Sequence, residues 1–270
     1  MEWARIMAPL SGGEGDKRLL AVGAGLAEAF GAELACVHCP ADLANMIPWM
    51  GDGFMGGVQA TAVESIRSAA AEGSRAAKAA VEANPYKSKT FLSLSSPVWA
   101  ALAVESRLSD VVLFDQAASC GKGPLAEAFQ QIVADEQRPT LIVKGPVAVG
   151  GIIAVAWDGG KEASRALRTA LPLLQRATKV FVMSAVAGSG SRIDPARAVD
   201  FLSARDVKAE AQVLTEAGDP AAGLLKAAAA LGADILVAGA FGHPRLQEFI
   251  FGGATRTFLN AGGPSLFLSH

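Results

Sequence analysis

The chain of 270 residues carries 24 basic and 26 acidic side chains, a net charge of −2, and is 51% hydrophobic against 19% charged. A disordered chain would reverse that balance, so a packed protein is expected, either one large domain or two of roughly 135 residues. Residues 1–150 hold 12 basic and 16 acidic groups and residues 151–270 hold 12 and 10, with no Lys/Arg cluster of the kind that grips a polyanion, so nucleic acid is excluded as the main partner.

The opening residues Met1-Glu2-Trp3-Ala4-Arg5 have no basic stretch leading into a long apolar run, and charges, Gly or Pro break every apolar stretch before about 18 residues. Three cysteines make a disulfide framework improbable. A cytoplasmic protein without membrane spans is therefore expected.

Taken in order, the chain reads twice. Ala4–Gly13 ends an apolar run in a Gly pair and enters a helical pattern through Leu19, Val22, Leu26 and Phe30. A short apolar run at Ala32–Val37, consistent with a buried parallel strand that needs no alternation, then predicts a second strand, with further strands expected near Thr90–Leu94, at Asp110–Phe114 and at Thr140–Val143. Between them a helix is expected to start at Pro97 with Ser96 as its N-cap. The second pass begins at Gly151–Gly160, another apolar run ending in a Gly pair, followed by helical spacing through Ala166, Leu167, Ala170, Leu171 and Leu174. Strands follow at Val180–Val186, Ala209–Thr215, Asp234–Ala238 and Pro264–Leu268, with a helix from Pro220 capped by Asp219.

Each half is thus β-α-β-α-β-α-β-α-β, which predicts an α/β protein of two tandem, doubly wound, five-stranded parallel-sheet domains. Gly145–Gly150 interrupts the pattern, so the domains are placed at 1–147 and 148–270. The first half alone inserts Asp42 to about Gln59, including Met46, Trp49 and Phe54. A loop so long and apolar is a lid, a contact surface, or a cover over its own domain.

Ligands of such sheets lie beyond the carboxyl ends of the strands, at the switch in strand order. There the second half places Gly239-Ala240-Phe241-Gly242, nine further residues, and then Gly252-Gly253-Ala254-Thr255 opening a helix. Small residues let the backbone approach a phosphate, and the free N–H groups of a helix start face negative charge. Asp158, at the end of the first strand of this half, is placed to accept from a ribose hydroxyl.

The spacing Gly239-x2-Gly242-x9-Gly252, the Gly-Asp-Pro of 218–220, the Leu-Gly-Ala-Asp of 231–234 and Asp158 together resemble the universal stress protein family. The likeness spans the second half and, through the shared element order, extends more weakly over the first. It implies an adenine nucleotide alpha-hydrolase-like fold, with the two halves paired through their last strands as a pseudo-dimer within one chain. It also implies an adenine nucleotide, ATP or AMP, with or without Mg, and a stress-response role through a protein partner. In that reading Ala156 and Asp158 flank the nucleotide, Ala185 presents backbone groups to adenine, and Ala238 borders the sugar. Gly239, Gly242, Gly252, Gly253, Ala254 and Thr255 surround ribose and phosphates.

One departure bears on affinity. The family places Ser or Thr where this chain has Gly253, which keeps an N–H but loses a hydroxyl; Thr255 is placed to compensate. The first half departs further, with Ser11 where the second has Asp158 and Asp115-Gln116-Ala117-Ala118 where the glycines belong. A carboxylate there repels phosphate, so this half reads as a degenerate structural partner.

Other motifs carry less. Gly51-x-Gly53-x-x-Gly56 lacks the strand before it that a dinucleotide fingerprint needs. Cys36 and Cys39, three apart on an extended strand, lie roughly 10 Å apart, beyond disulfide reach. They read as core thiols, and His38 between them as structural. His243 could face a nucleotide. Ser11-Gly12-Gly13-Glu14-Gly15-Asp16 resembles the loop of ATP pyrophosphatases, which adenylate a substrate, but its Asp is displaced and Lys17 replaces the second Ser. No Ser/His/Asp set or facing carboxylate pair is evident, so a non-enzymatic binding module is expected. A protein that binds no nucleotide and works through contacts, and an adenylating enzyme, are the alternatives.

Overall fold

The computed structural model describes residues 2–40, 57–94, 97–185, 193–215, 218–240 and 253–270. The first half runs β1 (Arg5–Leu10), α1 (Gly15–Phe30), β2 (Glu33–His38), α2 (Gly57–Ala83), β3 (Lys89–Ser93), α3 (Val98–Ser106), β4 (Val111–Asp115), α4 (Gln116–Ser119), α5 (Ala126–Ala134) and β5 (Thr140–Val143). The second runs β6 (Ile152–Ala156), α6 (Lys161–Thr169), α7 (Leu171–Arg176), β7 (Lys179–Ala185), α8 (Pro195–Ser203), β8 (Ala209–Leu214), α9 (Pro220–Ala230), β9 (Ile235–Gly239), α10 (Gly253–Asn260) and β10 (Ser265–Ser269).

All ten strands join one sheet in the order β3-β2-β1-β4-β5-β10-β9-β6-β7-β8. Within each half neighbouring strands are parallel and follow the same 3-2-1-4-5 order, reversing direction of travel between β1 and β4 and between β6 and β9. The halves meet where β5 pairs with β10 antiparallel, Leu141 opposite Phe267. The expected pairing of last strands is the centre of the sheet.

Both faces are covered, as a parallel sheet requires. Strand residues alternate between two cores: Ile6, Ala8 and Leu10 pack with α1, α2, α6, α7 and α8, while Met7, Val112 and Phe114 pack with α3, α5, α9 and α10. Trp3, ahead of β1, stacks on Phe267 of β10 with ring centroids 6.2 Å apart and tilts against Phe30 at 4.8 Å. Aromatic packing thus bridges the two halves.

An aspartate repeats at matching places. Asp110, before β4, accepts the backbone N–H of Ala4 and Arg5 at 2.7 and 2.9 Å. Asp234, before β9, accepts that of Ile152 at 3.1 Å. Each pins the start of a half's first strand to its fourth. Gly151 exists for this contact, since a Cβ there would meet the Asp234 carboxylate at 1.9 Å.

Several boundaries differ from expectation. The strand before Asp158 stops at Ala156, the insertion ends earlier because Gly57–Gln59 are already helical, and Pro172 breaks one expected helix into α6 and α7. Asp219 caps α9, accepting from the Ala221 N–H at 3.1 Å, but α3 starts one residue late with Pro97 itself as N-cap. Ser96 and residues 41–56, with the Gly51–Gly56 motif, lie outside the described residues.

Candidate nucleotide site

The site builds from the ends of β6 and β9, flanking the switch in strand order. After Ala156 the chain turns through Trp157, buried with its indole N–H donating to the Ile193 carbonyl at 2.8 Å, and Asp158, which is exposed. One Asp158 oxygen accepts the Gly160 N–H at 2.8 Å, closing the turn ahead of α6 and leaving the other oxygen toward solvent. Gly159, at φ 74°, makes that turn possible.

Opposite, β9 ends in Ala238 and Gly239. A Cβ on Gly239 would sit 2.6–2.7 Å from the backbone of Glu162 and Ala163 and from the Glu162 Cβ. The missing side chain lets the first turn of α6 rest on the strand end. Gly253, by contrast, has nothing within 4 Å of where a Cβ would lie. Its place at the start of α10 is open space.

Ala156, Asp158, Ala238, Gly239, Gly253, Ala254 and Thr255 all line one cleft of about 200 Å³. Leu224 of α9 and Phe258 of α10 form its apolar wall, and the first turn of α10 opens onto it. Ala185 borders a neighbouring cleft of about 520 Å³ between β8 and α9, with Pro220, Gly223 and Leu214. Gly242, Gly252 and His243 lie outside the described residues.

Sequence reasoning missed Glu162, which lines the cleft with Lys161 3.4 Å from its carboxylate. Its position in the first turn after the Gly159-Gly160 turn was the available signal. A carboxylate there opposes bound phosphate, and Lys161 offsets it in part. Fit to a nucleotide is thus mixed: small walls and helix N–H groups favour it, Glu162 works against a bare polyphosphate.

The first half has filled its corresponding loop. Asp16, buried, accepts the Ser11 N–H at 3.0 Å, the Ser11 hydroxyl at 2.9 Å and the Gly12 N–H at 2.8 Å. The chain's own carboxylate takes the donors an anion would need. Asp115 caps α4, accepting from the Ala118 N–H at 2.9 Å. His38 donates from Nδ1 to the Leu10 carbonyl at 2.9 Å and is buried. All three cysteines are thiols, and burial pushes Cys36 up to about 12. No group of metal-ligating side chains, and no helix long and apolar enough to cross a membrane, occurs among the described residues.

Residues 151–261 match the universal stress protein family. Among solved structures, a universal stress protein from Archaeoglobus fulgidus DSM 4304 superposes with a TM-score of 0.71 at 14% identity, covering 98% of this chain and 95% of that one. A putative universal stress protein from Pseudomonas aeruginosa UCBPP-PA14 superposes with a TM-score of 0.58 at 14% identity, covering 99% and 93%. Those likenesses show the fold along the whole chain. No curated protein sequence matches it. The second half therefore carries a universal stress protein family domain, at residues 151–261, within a chain whose whole fold is that of universal stress proteins.

Proposed function

We propose that this chain is a tandem universal stress protein that holds one adenine nucleotide in its C-terminal half and acts in a cytoplasmic stress response through a protein partner, without catalysis. The convergence of Ala156, Asp158, Ala238, Gly239 and Gly253–Thr255 on one cleft carries this reading. Asp158 would take the ribose hydroxyls and the N–H groups at the start of α10 the phosphates. The cleft beside Ala185, of mixed polar and apolar lining, is wide enough for the base. Glu162 favours AMP, or ATP whose charge Mg²⁺ offsets.

The first half supports a non-enzymatic reading. The Ser11 hydroxyl and the loop N–H groups that an adenylating site would need already bond to Asp16.

The test is titration of purified protein with ATP and AMP, with mass spectrometry of any nucleotide that co-purifies. Binding in the micromolar to millimolar range is expected, and Gly242→Arg should remove it. Because Gly253 faces open space, Gly253→Ser should fold normally and bind AMP about tenfold more tightly through its added hydroxyl. Absence of binding at millimolar nucleotide would sink the proposal and leave a protein that works by contact alone. Gly239 is compatible with that second reading, because the packing of α6 already accounts for its missing side chain.

A further inference from the structure

A further cleft, of about 500 Å³, lies away from the proposed nucleotide site, at the junction of the two halves. Its first-half wall is made by the residues just ahead of β1, β4 and β5, and its second-half wall by the α6–α7 bend and the end of α8. The volume is that of a small-molecule site, and the floor is apolar: Trp3 and Pro172 are buried, Leu171 and Phe201 half-buried.

The charges around that floor are unbalanced in a specific way. Its two carboxylates are already used, Asp110 by the backbone N–H groups of Ala4 and Arg5, and Glu2 by Arg176 at 3.0 Å. Its two guanidiniums are not. Among the described residues neither Arg168 nor Arg205 meets a carboxylate. Arg205 lies 3.6 Å over the Phe201 ring and donates one N–H to the Phe201 carbonyl, which holds the planar head in place with further donors unspent. Arg168 is exposed at the rim.

We propose that this cleft binds a small monocarboxylate with an apolar body, aromatic or medium-chain aliphatic. The body would lie on Trp3, Leu171 and Phe201, and the carboxylate would take the guanidinium donors of Arg168 and Arg205. A fixed guanidinium beside an aromatic floor suits that combination, since charge-assisted bonds to carboxylate are strong and the remaining surface rewards apolar contact. The ligand would touch both halves at once.

Titration calorimetry of the full chain with decanoate, decanol and inorganic phosphate separates the contributions. Decanoate is expected to bind with quenching of Trp3 fluorescence that Trp3→Phe removes, and decanol and phosphate each about tenfold more weakly or not at all. The double variant Arg168→Gln, Arg205→Gln should lose about tenfold in decanoate affinity with an unchanged melting temperature. Leu171→Glu, which puts a charge on the floor, should block decanoate as well. Decanol binding as tightly as decanoate, an undiminished isotherm in a folded arginine variant, or no decanoate binding at roughly millimolar concentration would each overturn the assignment.

Discussion

Gly239 and Gly253 belong to one motif and do different work. Gly239 is held by packing: a methyl there would enter the backbone of α6 at 2.6 Å, which a fixed helix turn cannot yield cheaply. Gly239→Ala should therefore cost about 1–3 kcal/mol in denaturant melts, while Gly253→Ser should stay within about 0.5 kcal/mol. Cys36 offers a second measurement. Burial raises its thiol from 9.0 to about 12, so its contribution to stability is complete below pH 9 and is lost as pH climbs from 9 toward 12. In native protein at pH 8, iodoacetamide should label the half-buried Cys120 well before Cys36, and equal rates would contradict the burial.

α10 shows how a helix can be set from both ends. Its start lines the cleft at the ends of β6 and β9, and its last carbonyls are held by the first half. Lys144, whose half-buried ammonium is pulled below its ordinary range by desolvation, donates to the carbonyls of Phe258 and Ala261. Gln116 donates to those of Leu259 and Ala261, both at 3.3 Å. These are the unsatisfied carbonyls of a helix C-terminus, met here by side chains from across the sheet. Lys144→Met should cost about 1–2 kcal/mol and speed amide exchange in residues 253–260, and unchanged exchange would show that the brace is idle. The segment Asp115-Gln116 has structural work of its own: its aspartate caps α4 and its glutamine holds α10.

At the scale of the molecule, antiparallel pairing of β5 and β10 makes one sheet of ten strands whose outer edges are β3 and β8. Each half satisfies the other's last strand, so the full chain has no need of a second copy to cover that edge. Light scattering should give a mass near 27.6 kDa. A fragment of residues 148–270 would expose the β10 edge and the apolar patch around Phe267, and should self-associate or precipitate. A stable monomeric fragment would mean that the central pairing contributes little.

The repeat, its element order and the parallel sheet were legible in the sequence because buried strands and helix spacing leave local patterns, and because Gly pairs and Asp219 mark turns and caps with short-range chemistry. Seven of the expected positions line one cleft for a related reason, lying next to strand ends or at the start of α10. What the sequence could not disclose depends on approach between distant segments. Glu162 enters the cleft only because α6 rests on Gly239. Asp16 closes the first-half loop only once the turn has folded back on it, and Asp110 and Asp234 acquire purpose only when β1 and β6 lie beside them. The cleft with Arg168 and Arg205 exists because the two halves are joined edge to edge. Local propensity and periodicity determined the elements; packing between them decided which glycines are structural, which carboxylates are spent, and which charges remain available to a ligand.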